Sequence, residues 1–267
     1  MRLSGWVPPV LVNRLKSLLR RGIYYSGQYA SWSLARSLAS GYNAAHILEK
    51  VKAAALKIKA GEAACERDSV IFDRIEHSFP VLAGLLRAAM ENGARLSVLD
   101  FGGSLGSSYY QCRAFLAVVE MLRWNIVEQE HYVRCGRECF ETEQLRFHYT
   151  IAECVKSAEP NVALLSSVLQ YVPAPEAVIA ELMQSGMRYL IFDRTPFSDL
   201  EIDRITIQHV PPTIYPASYP CWIFAKSRFL ETFRGRYELV AQFNCADGSA
   251  YASGLEFSHC GMILRKI

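Results

Sequence analysis

The sequence lacks the features that would place it in a membrane or in a secretory pathway. It contains no apolar run of the about 18 residues that a membrane-spanning helix needs. Its N-terminal stretch also lacks the uninterrupted apolar core of a signal peptide, because Asn13, Arg14 and Lys16 fall within it. These absences predict a cytoplasmic protein.

The sequence also has little excess of positive over negative charge. The 29 Lys and Arg and 26 Asp and Glu leave a formal net charge of +3 over 267 residues, which is too little for a dedicated nucleic-acid-binding protein. The basic residues are concentrated near the N-terminus, where residues 1–60 contain a single acid, Glu49. Residues 10–21 read as a basic amphipathic helix, which could make weak contact with an anionic membrane surface or pack against its own domain.

The sequence has eight cysteines but no C-x-x-C pair. Cys135 and Cys139 are four residues apart, yet no neighbouring pair of Cys or His completes a zinc-binding set. A chain of this length buries a core without disulfide staples. The cysteines are therefore expected to be reduced and mostly buried, and no metal site is predicted.

The first 95 residues show little strand signal. Ala, Leu and Lys are abundant over 30–60, with Gly41 as a break, and a further helical stretch is predicted over about 66–92. We therefore expect residues 1–95 to form a helical N-terminal cap or lid.

The pattern changes at residue 96. Short apolar runs now alternate with helical stretches, which is typical of an α/β fold with a parallel sheet covered on both faces. The last two runs, 237–243 and 260–267, are separated by an Asp247-Gly248 turn and have no room for a helical crossover, so they should pair antiparallel. Residues 96–267 are therefore predicted to form one Rossmann-like domain.

A Pro- and aromatic-rich insertion at 195–230 interrupts this alternation. Aromatic side chains are costly to leave in water, so a flexible linker is a poor explanation. We expect the insertion to fold over a site.

The most informative segment is VLDFGGSLGSSYY at 98–110, in which a predicted strand ends at Asp100 and a glycine-rich loop leads into a helix. Glycines permit positive φ and a close approach of backbone to a ligand. A dinucleotide G-x-G-x-x-G fingerprint would need glycine at position 101, which is Phe101. The loop fits the alternative spacing D-x-G-x-S-x-G, whose members are Asp100, Gly102, Ser104 and Gly106.

Two further segments follow the next predicted strands. Glu128 lies at the end of a strand, where a carboxylate can accept hydrogen bonds from both hydroxyls of a ribose. The segment LLSSVLQYVPAPE at 164–176 places polar residues in an apolar run, and buried polar groups require partners.

Together these features resemble the class I S-adenosylmethionine-dependent methyltransferases. The resemblance covers 96–267 and implies a sheet of order 3-2-1-4-5-7-6 with an antiparallel last strand. It implies S-adenosylmethionine as the cofactor. The candidate cofactor-binding residues are Asp100, Gly102, Gly103, Ser104, Gly106, Glu128, Ser166 and Ser167.

The whole chain is also similar to a narrower group of bacterial methyltransferases often associated with surface-polysaccharide gene clusters. The segments that carry this resemblance are YYSGQYASWSLA (24–35), GYNAAHIL (41–48), ERDSVIFD (66–73), DFGGSLGSSYYQ (100–111) and QHVPPTIYPASYPCWIF (208–224). It favours an oxygen of a sugar or small metabolite as the methyl acceptor, without identifying it or the oligomeric state.

An alcohol acceptor must lose a proton. His209, in the insertion, and Asp193, at the end of a predicted strand, are the candidate catalytic residues. Aromatic rings can stack on a cyclic acceptor, and an arginine can hold an acidic group. The candidate substrate-binding residues are Tyr171, Arg194, Gln208, Tyr215, Tyr219 and Trp222.

Two other functions stay open from the sequence. A nucleotide-dependent oxidoreductase could use a similar sheet, although Phe101 argues against it. A non-catalytic scaffold on a cofactor fold is compatible with Ser104 in place of the middle glycine. A nucleic-acid methyltransferase is not favoured, because SSVLQY follows the fourth strand where a D/N-P-P-Y/F/W signature would be expected.

Overall fold

A computed structural model of the chain describes residues 22–41, 44–67, 70–212, 214 and 216–267. Its centre is a sheet of ten strands with helices packed on both faces. The α/β Rossmann-like class predicted from the alternation is confirmed. None of the described helices is both long and apolar enough to cross a membrane.

One half of the sheet is entirely parallel. Its strands are fully covered by helices, so their residues are buried almost without interruption. In spatial order they are β6 (Leu145–His148), β5 (Met121–Val127), β4 (Arg95–Phe101), β7 (Val162–Ser166) and β8 (Tyr189–Ser198).

Two long strands continue the sheet beyond β8. β12 (Leu255–Lys266) pairs antiparallel with both β8 and β11 (Tyr237–Ala252). The five strands β4 to β8 and the two strands β11 and β12 make seven. When these seven are numbered along the chain, their spatial order in the sheet is 3-2-1-4-5-7-6. The turn between the last two falls at Ser253 and Gly254, and not at Asp247-Gly248 as predicted.

The other half of the sheet closes into a six-stranded, barrel-like ring. β1 (Tyr24–Tyr29) lies between β11 and β9 (Arg204–Val210), and β10 (Ala217–Ala225) pairs with β9 on one side and β8 on the other. The predicted insertion at 195–230 therefore supplies the end of β8, then β9 and β10. Its prolines at 196 and 220 lie within strands, which the aromatic and β-branched residues around them stabilise.

The N-terminal part is only partly the helical cap that the sequence predicts. It contains the helices α1 (Trp32–Leu38) and α2 (Ala44–Ala60), but it also contributes β1 to the main sheet. A short hairpin of β2 (Cys65–Arg67) and β3 (Val70–Phe72) replaces the helix expected from residue 66. The amphipathic helix predicted at 10–21 lies outside the described residues.

Helices between consecutive parallel strands, together with helices from the N-terminal part and from the barrel, cover the sheet. The two largest hydrophobic cores lie on its opposite faces. The first is formed with α2, α3 (Phe79–Met90), α4 (Ser107–Cys112) and α5 (Glu130–Cys139), and the second with α6 (Ile151–Ala158), α7 (Pro175–Gln184) and α8 (Lys226–Glu231). All eight cysteines are free, and six of them are buried, as predicted.

Candidate functional site

A cavity of about 810 Å³ lies where β4, β5 and β7 end, at the carboxyl edge of the parallel sheet. This is the edge at which open α/β sheets bind ligands, and the volume is within the usual range for a small-molecule site. The cavity is walled by the sheet on one side. The other side is formed by the N-terminal elements and by β10 and β11 of the barrel.

The glycine loop after β4 forms part of the floor. Gly102 has φ +70°, and a Cβ added there would lie 2.2 Å from Val168 Cγ2. A Cβ on Gly103 would lie 2.5 Å from Oδ2 of Asp100. The loop thus requires glycine at both positions because there is no space for a side chain, and at Gly102 also because of its left-handed backbone.

Asp100 lies directly beneath this loop and is 1% exposed. Its Oδ2 accepts a hydrogen bond of 2.9 Å from the indole N–H of Trp124. Burial raises the pKa of the Asp100 carboxyl to about 7, because the charged form loses its hydration.

Glu128 ends the neighbouring strand and lines the same cavity. Its Oε2 accepts a 2.6 Å hydrogen bond from the backbone N–H of Gln129, and the backbone N–H of Ser104 also bonds to this carboxyl. Burial raises the pKa of Glu128 to about 7 as well. Within the described chain neither Asp100 nor Glu128 forms a salt bridge, so both carboxylates can accept hydrogen bonds from a ligand.

Ser166 and Asp193 stand opposite each other on the paired strands β7 and β8. The Ser166 hydroxyl donates to Asp193 Oδ2 at 2.7 Å, and the Cys245 thiol lies 3.6 Å from Oδ1. Arg194 Nε is 3.6 Å from Asp193 Oδ2 and 3.4 Å from Ser166 Oγ. Asp193 is 6% exposed, so these donors replace the water that its carboxylate would otherwise bind.

Backbone strain is concentrated around this cavity. Six described residues other than glycine have left-handed φ values, and three of them line the cavity: Ser104 (φ 54°), Ser167 (φ 54°) and Arg194 (φ 49°). Each such residue costs about 1–3 kcal/mol and persists only where the surroundings enforce it. The strain therefore marks the loops after β4 and β7, and the bend in β8, as a functional site.

Gln208 links two tyrosines of the barrel-side wall. Its Oε1 accepts 2.9 Å from the Tyr171 hydroxyl, and its Nε2 donates 3.2 Å to the Tyr219 hydroxyl. Both tyrosines line the cavity, with their rings edge to face and their centroids 5.2 Å apart. Gln208 itself is 4% exposed and is not among the described lining residues, so its role here is to orient the two tyrosines.

Besides Gln208, three of the predicted site residues that the structure describes do not line the cavity. His209 stacks on Tyr24 at 4.4 Å and bonds Ser26 Oγ at 2.7 Å, between β9 and β1. Trp222 donates to the carbonyl of Val172 at 3.0 Å. Gly106 precedes α4 behind the loop, and Tyr215 lies outside the described residues.

The other predicted site residues line one cavity. They are Asp100, Gly102, Gly103, Ser104, Glu128, Ser166, Ser167, Tyr171, Asp193, Arg194 and Tyr219. Cofactor candidates from the ends of three strands and acceptor candidates from the barrel thus meet at one place.

Several lining residues come from the N-terminal part and are not among the predicted site residues. Trp32 and Arg36 of α1, Glu66 of β2, and Glu76 and His77 before α3 face the cavity. Glu66 accepts a hydrogen bond from the Ser107 hydroxyl at the start of α4, which ties the hairpin to the glycine loop's helix. A single charged residue that the fold buries leaves no periodic signal in the sequence, so its pattern does not identify Glu66 as a lining residue.

A bulge in β11 was also missed. Pairing with β12 is interrupted between Asn244 and Ser249, and residues 244–247 of this bulge line the cavity. β-Bulges commonly redirect side chains at functional sites. The Asp247-Gly248 pair, which suggested a hairpin turn, is instead part of the bulge.

Metal binding has no visible basis in the site. Within the described residues, no group of three His, Cys, Asp or Glu side chains is arranged to hold a metal ion.

Comparison with known proteins finds similarity only among solved structures. No protein-family model matches the chain, and no curated protein matches it. A S-adenosylmethionine-dependent methyltransferase from Clostridium acetobutylicum is 9% identical and superposes with a TM-score of 0.40, covering 69% of this chain and 89% of its own.

Two further structures cover more of this chain. The N-terminal domain of EvdMO1, crystallised with SAH and D-fucose, is 12% identical with a TM-score of 0.45 over 85% of this chain and 98% of its own. The magnesium protoporphyrin IX methyltransferase of Synechocystis, with bound SAM, is 11% identical with a TM-score of 0.41 over 85% and 100%. These similarities are too low to carry a function, which is therefore argued from the cavity.

Proposed function

We propose that the protein is a S-adenosylmethionine-dependent methyltransferase that methylates an oxygen of a sugar or small metabolite. The observation that carries the proposal is the pair of carboxyl groups, the buried Asp100 and the half-buried Glu128, at the ends of adjacent strands beside a loop that requires glycine at positions 102 and 103. This combination suits a nucleoside with free ribose hydroxyls and an amino-acid tail.

The donor half of the cavity would consist of the glycine loop and the two carboxylates. Glu128, already bonded to two backbone N–H groups, keeps acceptor capacity for ribose hydroxyls. Gly102 and Gly103 allow the ligand to approach the backbone closely. Ser166 and Ser167 lie at the end of β7 beside them. When bound, S-adenosylmethionine supplies a methyl group activated by its positive sulfur.

The acceptor half would be formed by β8 and the barrel. Asp193 is the candidate proton acceptor, because its carboxylate lines the cavity next to the Ser166 hydroxyl. Arg194 is positioned to hold a polar or acidic group of the acceptor, and Tyr171 and Tyr219 offer ring edges to it. His209 and Trp222 contribute only behind this wall, through the contacts of β9 and β10.

The alternatives have less support from the geometry. A nicotinamide-dependent oxidoreductase would use a glycine at position 101, where Phe101 stands, and a scaffold would not need strained residues facing an open cavity.

Binding of the sulfur nucleosides tests the proposal directly. Calorimetry should give micromolar dissociation constants for S-adenosylmethionine and S-adenosylhomocysteine and no binding of NADH. Glu128→Gln should weaken nucleoside binding about tenfold or more, because a hydrogen bond to a charged group contributes about 1.5–3 kcal/mol.

Glu120→Gln is the matched control, since Glu120 lies immediately before β5 and Glu128 immediately after it. It should bind like the parent protein. A folded protein that binds neither nucleoside, or a Glu128→Gln variant that binds as well as the control, would contradict the proposal.

A further inference from the structure

The charges around the cavity are strongly unequal. Among the residues that the structure describes, six carboxyl groups line it against two guanidinium groups. The carboxylates are Glu66, Glu76, Asp100, Glu128, Asp193 and Asp247, and the guanidinium groups are Arg36 and Arg194.

The one close pair among them does not remove the imbalance. Arg194 and Asp193 offset each other at 3.6 Å. Glu76 and Asp247 form no salt bridge with any residue in the described part of the chain, although both are exposed to the cavity. Glu66 is buried and hydrogen-bonded to Ser107. Asp100 and Glu128 add to the excess of negative charge once the pH exceeds about 7, because burial raises the pKa of both carboxyls to about 7.

A recessed cavity with charges of one sign focuses their field, because the protein walls polarise less than water. A ligand is then selected by its net charge as well as by its shape. The two forms of the proposed cofactor differ in that respect. S-adenosylmethionine carries a sulfonium, an ammonium and a carboxylate, for a net charge of +1, whereas S-adenosylhomocysteine has no sulfonium and is neutral overall.

We propose that the excess of carboxylates in this cavity makes it bind the cationic methyl donor in preference to the neutral demethylated product. This inference rests on the proposed function, and it adds a means of product release to it. Once the methyl group has left the sulfur, the attraction between cavity and cofactor falls, and the product dissociates more readily.

The selection should be visible in binding alone. The measurement is made above about pH 7, where the Asp100 and Glu128 carboxyls are ionised. At about 0.01 M ionic strength, where the Debye length is about 30 Å, S-adenosylmethionine should then bind at least about fivefold more tightly than S-adenosylhomocysteine. At about 1 M, where the Debye length is about 3 Å, most of this preference should disappear. The parent protein needs no acceptor for either measurement.

Substitutions of exposed lining residues should shift the preference in opposite directions. Glu76→Gln and Asp247→Asn each remove a negative charge and should lower the donor-to-product affinity ratio about twofold. Arg36→Gln removes a positive charge and should raise the ratio by a similar factor. Glu120→Gln, at the opposite edge of the sheet, should leave the ratio unchanged. All four residues are exposed, so folding is preserved.

Sinefungin separates charge from contacts with the methyl group. It carries an amine in place of the methylated sulfur, so its net charge near neutral pH is also +1. If charge selects the donor, sinefungin binds like S-adenosylmethionine, and its affinity falls with salt in the same way.

Three outcomes overturn the inference in distinguishable ways. Equal binding of donor and product, or a preference unaffected by salt and by the sign of the substituted charge, rejects charge selection while leaving the proposed function standing. Sinefungin that binds like the neutral product assigns the preference to methyl contacts and also rejects it. Failure of all three nucleosides to bind rejects the proposed function itself.

Discussion

The two walls of the cavity are built in different ways. The sheet wall consists of loops that follow buried parallel strands, and its residues are fixed by backbone conformation, as at Gly102, Ser104 and Ser167. The barrel wall consists of side chains, such as Tyr219 and Asp247, brought in by strands that pair far along the sequence.

This difference fits the proposed division of the cavity into a cofactor half and an acceptor half. A wall defined by main-chain shape recognises one fixed ligand, which suits a cofactor. A wall defined by exposed side chains can change its specificity by substitution without disturbing the fold, which suits an acceptor. Three experiments test the comparison.

The largest effect on stability and binding is expected when glycine is replaced in the sheet wall. A glycine of similar backbone conformation in the barrel wall serves for comparison. Gly102 and Gly248 both have left-handed backbone, with φ +70° and +65°. A Cβ at Gly102 meets Val168 at 2.2 Å, whereas nothing lies within 4 Å of one at Gly248. Gly102→Ala should therefore lower the free energy of unfolding by about 2–5 kcal/mol and abolish nucleoside binding.

Gly248→Ala is the control and should cost only about 1–2 kcal/mol, because the strain of positive φ is its only penalty. Urea unfolding and calorimetry measure both effects. Equal losses in the two variants would mean that the glycine loop is no more constrained than the bulge.

The next effect concerns the buried carboxylate of the sheet wall. Burial raises the folded-state pKa of Asp100 to about 7, above the value of about 3.9 that aspartate has when unfolded. Between about pH 4 and pH 7 the folded protein therefore keeps a proton on Asp100 that the unfolded chain has lost. The free energy of unfolding falls over this pH range, and the contribution present below about pH 4 is lost by about pH 7.

Asp100→Asn should remove this fall in the free energy of unfolding, because asparagine does not ionise. Its side-chain oxygen can still accept the hydrogen bond from the Trp124 N–H. The variant should match the parent in free energy of unfolding near pH 4 and exceed it by roughly 3 kcal/mol at pH 8. Glu128→Gln should change stability in the same direction, since burial also raises the pKa of Glu128 to about 7. Parallel pH profiles for variant and parent would show that the Asp100 carboxylate is well solvated.

The smallest effect is expected on the barrel wall. Tyr219→Phe removes the acceptor of the Gln208 Nε2 hydrogen bond, which spans 3.2 Å. Loss of this bond should cost about 1 kcal/mol of stability. The affinity for S-adenosylmethionine should not change, because Tyr219 lies on the side of the cavity proposed for the acceptor. A clear fall in that affinity would extend the cofactor site into the barrel wall and remove the proposed division.

Much of the sheet wall could be predicted from the sequence. Asp100, Gly102 and Glu128 lie at the ends of apolar runs that are regular enough to identify as strands, and in a parallel sheet such ends converge on one edge. The α/β class followed from the same alternation. Local sequence is informative here because each position is determined by its own strand and loop.

The barrel wall could not be predicted in this way. The prolines and aromatics of 195–230 suggested a folded insertion, but not that β9 and β10 would pair with β1 from the N-terminus, where a helical cap was expected. His209 illustrates the consequence. Its residue type suits proton transfer, yet its ring packs on Tyr24, almost two hundred positions away in the sequence.

By itself, the sequence determined the parallel half of the sheet, the glycine loop and the two carboxylates that flank it, because strand periodicity and glycine's backbone freedom are local properties. The tertiary structure alone decided which residues face those carboxylates across the cavity. The barrel closes through hydrogen bonds between β8 and β10 and between β1 and β11. Such pairing depends on contacts between distant segments, which leave no periodic trace along the chain.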